Sequence, residues 1–321
     1  MNNRRFALIQ ALVSLVALAA VVWWATKQEA PHIPTGSDAI AWIAASIGLY
    51  VLATLVRAER WHRILEHTGV DAKRVDCFAL TTVGYMGNNV LPARAGEGFR
   101  VVLLSQRSNA SKRTVISSIV GERVLDVIVL LAFFVITVYA VLPTTDVLPT
   151  SHPLLVTAVG ILLILAGVAA IWVLRSHQFF SRVREWLRPL ADSPRALLSS
   201  WGLVLLAGTV LLWTIEGSVY WTVSRALEID MSMGGALYLV ALTNFVAALP
   251  AAPGSIGTFD AAVAWGLHRL GATDSAAVSY VILIRFVLYV PITIVGLVVL
   301  VTRYGGWSRL RSATRLEASS A

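Results

Sequence analysis

Two apolar stretches of this chain are each broken once by a turn rich in proline and glycine, and this pair of breaks limits the possible folds more than any other feature. The first stretch runs from about 76 to 105 and is interrupted at Asn88, Asn89, Leu91, Pro92, Arg94, Gly96, Glu97 and Gly98. The second runs from about 233 to 270 and is interrupted at Leu249, Pro250, Pro253, Gly254, Ser255 and Gly257. Proline and glycine end helices, so neither stretch forms one straight span. Six further apolar segments are good full-length candidates, at about 6–26, 38–56, 115–141, 153–174, 198–222 and 276–302. Each is about as long as a bilayer crossing requires, roughly 20 residues.

Of the 321 residues, 57% are hydrophobic and 14% charged. Soluble domains carry about 25% charged residues. The formal charge of +8 does not indicate nucleic acid, because the basic residues sit in short stretches between apolar runs, as in membrane topology. The run from Phe6 has no small-x-small cleavage site before Lys27, so it reads as an uncleaved first span.

Charge placement orients the chain. With the N-terminus in the cytoplasm, the inside segments hold all of the 26 Lys and Arg except five: Lys27, Arg225 and Arg269 outside, and Arg123 and Arg285 within spans. The positive-inside rule therefore favours an inner-membrane protein with both termini cytoplasmic. Reading either broken stretch as one crossing would invert every later loop. Each is expected to be a re-entrant hairpin, although two short crossings would keep the same parity. The expected fold is an all-α polytopic membrane protein, with six transmembrane helices and two oppositely oriented re-entrant hairpins.

The breaks also resemble each other. Leu91, Pro92 and Gly96 align with Leu249, Pro250 and Gly254, and in the following span Arg123 and Arg285 each lie six residues after a serine. Residues 1–150 and 151–303 thus read as two membrane repeats, followed by a basic cytoplasmic tail at 304–321. Three crossings per repeat make the second inverted, an architecture found in many secondary transporters.

Charge inside a bilayer costs about 2.5–3.5 kcal/mol per central residue on insertion scales. Glu122, Arg123, Asp126, Glu216, Asp260 and Arg285 are therefore functional suspects. Glu122 and Asp126 share a helix face, and Arg123 can pair with Asp126 three residues on. Glu122 and Arg123 also lie near a span end, where they could snorkel. In the first break, arginine can grip a phosphate, and a helix starting after Gly96 aims free N–H groups at an anion. Gly254 and Ser255 offer the same device from the other side. The expected substrate-binding set is Asn88, Asn89, Arg94, Glu97, Arg100, Arg123, Asp126, Glu216, Gly254, Ser255 and Arg285.

Other signals are plain. The single cysteine, Cys77, reads as a core residue. Arg57, Arg60 and Trp61 read as an interfacial anchor after the second span, and His62 and His67 as solvated loop residues. No Walker, HExxH or GxSxG motif occurs, so no catalytic residue, metal or cofactor is expected.

Several of these stretches together resemble the membrane domain of lysylphosphatidylglycerol synthases, whose stand-alone members are called flippase-like proteins. The resemblance rests on Arg57 to Trp61, on Gly87 to Glu97, on Glu122, Arg123 and Asp126, and on Leu249 to Gly257, and it runs from about 40 to 302. In the synthases that domain is associated with moving an aminoacylated phospholipid between leaflets. The roughly 20 residues after 302 are too few for a synthase domain, so the resemblance implies transport without synthesis. The expected substrate is a phospholipid or polyprenyl-phosphate-linked lipid, with a partner synthase or envelope-biogenesis enzymes nearby. An intramembrane lipid head-group or glycosyl transferase is the alternative, and an accessory subunit of an envelope lipid or polysaccharide assembly complex is a third reading.

Overall fold

The computed structural model describes residues 34–91, 94–108, 110–141, 200–248 and 253–306, with isolated positions between 19 and 27. The expected span at 153–174, most of that at 6–26, and the tail from 307 onward fall outside the described residues.

Among the described residues eight α-helices follow one another: α1 (Ser37–His67), α2 (Arg74–Val90), α3 (Ala95–Ser108), α4 (Lys112–Ile136), α5 (Ser200–Ala226), α6 (Met233–Ala248), α7 (Thr258–Arg269) and α8 (Asp274–Tyr304). A π-helical turn, Thr137–Val141, extends α4, and a 3₁₀ turn, Pro253–Ser255, precedes α7. Their ends follow local chemistry. Ser111 caps α4 by accepting from the Thr114 N–H at 3.1 Å, and Thr273 caps α8 by accepting from Ala276 at 3.3 Å. Left-handed Gly69 follows the end of α1, and left-handed Gly305 caps α8.

Among the described residues three helices, α1, α5 and α8, are long and apolar enough to cross a membrane. The first outruns its expected span. No proline or glycine interrupts the chain between Tyr50 and Gly69, so α1 continues eleven residues past the expected end at 56, through Arg57, Arg60 and His67. His62 and His67 are accordingly on a helix and not in a loop: His62 is buried, and His67 stacks on Trp201 with ring centroids 3.8 Å apart.

Both broken stretches are helical hairpins. In the first, α2 and α3 pack antiparallel through glycines: Gly87 faces Gly96 and Phe99, and Gly84 faces Arg100. In the second, Gly235 lies against Leu270 and Gly266 against Leu239 and Leu242, so α6 and α7 are antiparallel too. At 1.5 Å per residue the legs measure about 18–26 Å, shorter than the ~30 Å hydrocarbon core of a bilayer.

The packing repeats itself. Helix α1 lies along α5, and the contacts run in opposite directions along the two chains: Ser46 meets Thr222, Arg57 meets Glu216, Arg60 meets Thr209 and His67 meets Trp201. The two helices are therefore antiparallel. Exchanging α1–α4 for α5–α8 converts each of the more extensive remaining contacts among these helices into another observed one. The α2–α8 contact becomes α6–α4, α1–α2 becomes α5–α6, α3–α4 becomes α7–α8, α1–α4 becomes α5–α8, and α4–α5 becomes α8–α1. The larger apolar core joins α5–α8 to α1 and α4, and a second core, around Trp61, Leu80 and Leu104, joins α1–α4 to the end of α8.

Candidate functional site

Four guanidiniums and four carboxylates meet between α1, α3, α4 and α5. Arg57 Nη2 donates to Glu216 Oε2 at 2.6 Å, with its guanidinium 5.2 Å from the Tyr85 ring and 5.3 Å from the Trp213 ring. One turn on, Arg60 Nη1 donates to Asp126 Oδ1 at 2.8 Å and to Thr209 Oγ1 at 2.9 Å, and Arg60 Nη2 lies 3.6 Å from Glu122 Oε1. Trp213 Nε1 donates to the same Asp126 oxygen at 3.1 Å. From α3, Arg100 Nη2 donates to Glu122 Oε2 at 2.6 Å and stacks on Trp61, 3.9 Å from its ring centre. Trp61 Nε1 in turn donates to Ser118 at 3.0 Å.

Arg123 completes the set. Its Nη1 donates to Asp126 Oδ2 at 3.2 Å, the expected pairing, and its Nε lies 3.4 Å from Glu97 Oε1. Arg57 and Arg60 are each 3% exposed and Glu122 is fully buried. Arg123 and Glu97 instead keep 34% and 26% of their side chains accessible. They are the most accessible members of the network.

A second ion pair sits in the equivalent place of the other helix set. Asp260 is the third residue of α7, as Glu97 is the third of α3. Its carboxylate takes Arg285 Nε at 2.5 Å and Nη2 at 3.0 Å, and also accepts from the Gly257 N–H at 2.8 Å. Arg285 further donates to the carbonyls of Gly254 at 2.7 Å and Ser255 at 3.1 Å. The second break thus turns its carbonyls to an arginine, and its Gly257 N–H is taken by Asp260.

The two breaks touch. Arg94 Nη2 donates to the Ala247 carbonyl at 2.8 Å across the gap, and Asn89 Nδ2 donates to Thr293 Oγ1 at 2.9 Å. A Cβ added to Gly254 would come within 3.3 Å of the Asn89 carbonyl and 3.1 Å of the Tyr289 ring. Each break also holds a non-glycine residue at positive φ, Arg94 at 53° and Ser255 at 50°. Such backbone persists where its surroundings over-determine it. Among the described residues Asn88 Oδ1, beside Gly96, is shielded from solvent without a hydrogen-bond partner.

The expected residues therefore divide into groups. Glu97, Arg100, Arg123, Asp126 and Glu216 share one network. Gly254, Ser255 and Arg285 form the second cluster, and Asn88, Asn89 and Arg94 lie at the first break. Sequence reasoning missed Arg57, Arg60 and the full role of Glu122. The first two are not an interfacial anchor, and with Arg100 they are not loop charges either: α1 and α3 carry them into the protein. Glu122 does not snorkel, because two arginines hold it inside. A signal was present: Glu122, Asp126 and Glu216 place three acids in two spans that hold only Arg123 as a cation, so further cations had to come from elsewhere.

Among the described residues no group of three or more His, Cys, Asp and Glu is arranged to hold a metal ion. Cys77 is buried, with its sulfur 4.0 Å from His62 Nδ1.

Residues 8–296 match the model of a family described as the lysylphosphatidylglycerol synthase TM region. The chain is 20% identical to a UPF0104 membrane protein of Methanothermobacter thermautotrophicus over 312 residues, 89% of this chain and 92% of that one. It is 23% identical to a protein of Haloferax volcanii named glycosyltransferase AglD, over 92% of this chain and 54% of that one. It is 27% identical to a UPF0104 membrane protein of Pyrococcus horikoshii over 172 residues, 52% of this chain and 46% of that one. The chain thus spans about half the length of the latter two relatives.

Proposed function

Because the chain belongs to the lysylphosphatidylglycerol synthase TM-region family, a family of membrane proteins, we propose that it carries a phosphate-bearing or anionic lipid between leaflets by alternating access. The observation that carries this reading is the meeting of two broken helices beside a buried, charge-balanced set of arginines and carboxylates. Eight charges held among apolar helices are costly, and a site for a charged head group gives them a use. Arg123 and Arg94 take the phosphate, with Glu97 giving up its place on Arg123. Asp126 and Glu216 balance charge or relay protons.

The two helix sets are read as inverted repeats in an inner membrane, with both termini cytoplasmic and the hairpins entering from opposite faces. The antiparallel run of α1 and α5 supports the inversion, and legs shorter than the hydrocarbon core support re-entrance. Without a nucleotide-binding motif, the drive comes from an ion gradient, a lipid gradient or a partner. Partner synthases or envelope-assembly enzymes would supply or take up the lipid.

The test is leaflet exchange of a fluorescent lipid panel in proteoliposomes. The intact protein exchanges at least one phosphate-bearing lipid, and Arg94→Ala and Arg123→Ala each slow it at least tenfold. Failure of the intact protein with every lipid would overturn transport, and normal exchange in both variants would overturn the site. A transferase is the second reading, supported by the Haloferax relative's name. That protein extends well beyond the part shared with this chain, which leaves room for its transfer chemistry elsewhere. Turnover of labelled lipid head groups by the purified protein would favour this second reading.

A further inference from the structure

An apolar groove of about 460 Å³ lies between α2 and α8, lined by Val75, Phe78 and Thr82 on one side and Val299, Thr302 and Arg303 on the other. Its volume is within the range of ligand-binding clefts. Both threonine hydroxyls donate back to their own helices, Thr82 to the Ala79 carbonyl and Thr302 to the Val298 carbonyl, each at 2.8 Å. The walls therefore offer hydrocarbon and spend their donors internally. That suits an acyl chain and not a polar ligand.

One end of the groove has the opposite character. Arg303 Nη2 donates to Asp76 Oδ1 at 3.0 Å, and Arg107 donates to the same oxygen. Nearby, Glu59 is likewise shared, with Arg63 Nε at 3.1 Å and Arg74 Nη2 at 3.5 Å, and Arg74 directly precedes Val75 of the groove. Each carboxylate serves two guanidiniums, so cations outnumber anions here. Asp76 is buried, while Arg107 and Arg303 keep 39% and 35% of their side chains accessible. Two partly accessible guanidiniums thus share one buried acid, with Arg107 also 4.9 Å from the Tyr304 ring centre, and paired guanidiniums suit a phosphate.

The geometry points to a binding site for one anionic phospholipid, its phosphate between Arg107 and Arg303 and one acyl chain along the α2–α8 groove. A hydrocarbon trough ending in surplus guanidinium fits both halves of such a lipid and matches a free phosphate at one end only. No residue of the buried network takes part, and the site does not depend on the transport reading. Helix α2 belongs to the first hairpin and α8 closes the second helix set, so the bound lipid bridges the two sets.

Native mass spectrometry of the purified protein titrated with phosphatidylglycerol or phosphatidylcholine tests the site. The tightest-bound phosphatidylglycerol should hold at least tenfold better than phosphatidylcholine. The double variant Arg107→Gln/Arg303→Gln should cut that preference about tenfold, equivalent to ~1.4 kcal/mol. Val75→Trp, at an exposed position, fills the groove with every charge in place and should weaken both lipids. Equal binding of the two lipids, or unchanged phosphatidylglycerol binding in either variant, would overturn the site. If the double variant fails to fold, the lipid preference of the unaltered protein and the Val75→Trp result decide alone.

Discussion

Arg60→Ala is expected to destabilise this protein more than removal of any other single charge. Among the described residues Arg60 pairs with both Asp126 and Glu122, and it also donates to Thr209 on α5. Its loss leaves two buried carboxylates facing each other with fewer cations. Breaking a buried pair from one side costs about 3–5 kcal/mol, because the remaining charge stays desolvated. The melting temperature in detergent should fall by on the order of 10 °C. Asp126→Asn should restore part of that loss when combined with Arg60→Ala, since it removes the orphaned charge. A melting point unchanged in the single variant would show that water reaches the network and screens it.

The second large effect is steric. A Cβ at Gly96 would lie 1.8 Å from the Gly84 carbonyl oxygen and 2.7 Å from the Asn88 nitrogen. Both are backbone atoms, so no side chain can swing aside, and Gly96→Ala must push α2 and α3 apart. Overpacking costs roughly 1–3 kcal/mol where side chains can yield, and more where they cannot. The expected result is a large loss of folded protein by size-exclusion chromatography, together with loss of any lipid exchange. Gly98→Ala, two residues on in the same helix, is the matched control. Nothing lies within 4 Å of its added Cβ, and alanine favours a helix by about 0.5–1 kcal/mol, so that variant should be neutral or slightly more stable. Equal behaviour of the two variants would mean that the hairpin is not closed through Gly96.

The Gly96 break was legible in the sequence, because proline, glycine and clustered asparagines act on their own few residues. For the same reason the helix pairs on either side of both breaks, and the Arg123–Asp126 pair three residues apart, could be read without a structure. The alignment of the two breaks was legible only in part. Leu91 to Gly96 resembles Leu249 to Gly254, yet the structure matches Glu97 to Asp260 as third residues of their helices. The second break is longer, so a residue-by-residue alignment pairs the wrong positions after it.

By itself the sequence determined, among the described residues, where helices form, where two stretches break and which charges must be accommodated among them. These are local properties, set by backbone propensity and by runs of apolar side chains. Only the tertiary structure decided which charges are inside. Arg57 and Arg60 look like the exposed end of a span until α1 lies antiparallel to α5 and brings Glu216, Thr209 and Asp126 against them from 66 to 159 residues away. Burial of a charge is favourable only once its partner is in place. That partner lies on another helix, so no local pattern around Arg57 or Arg60 can report it.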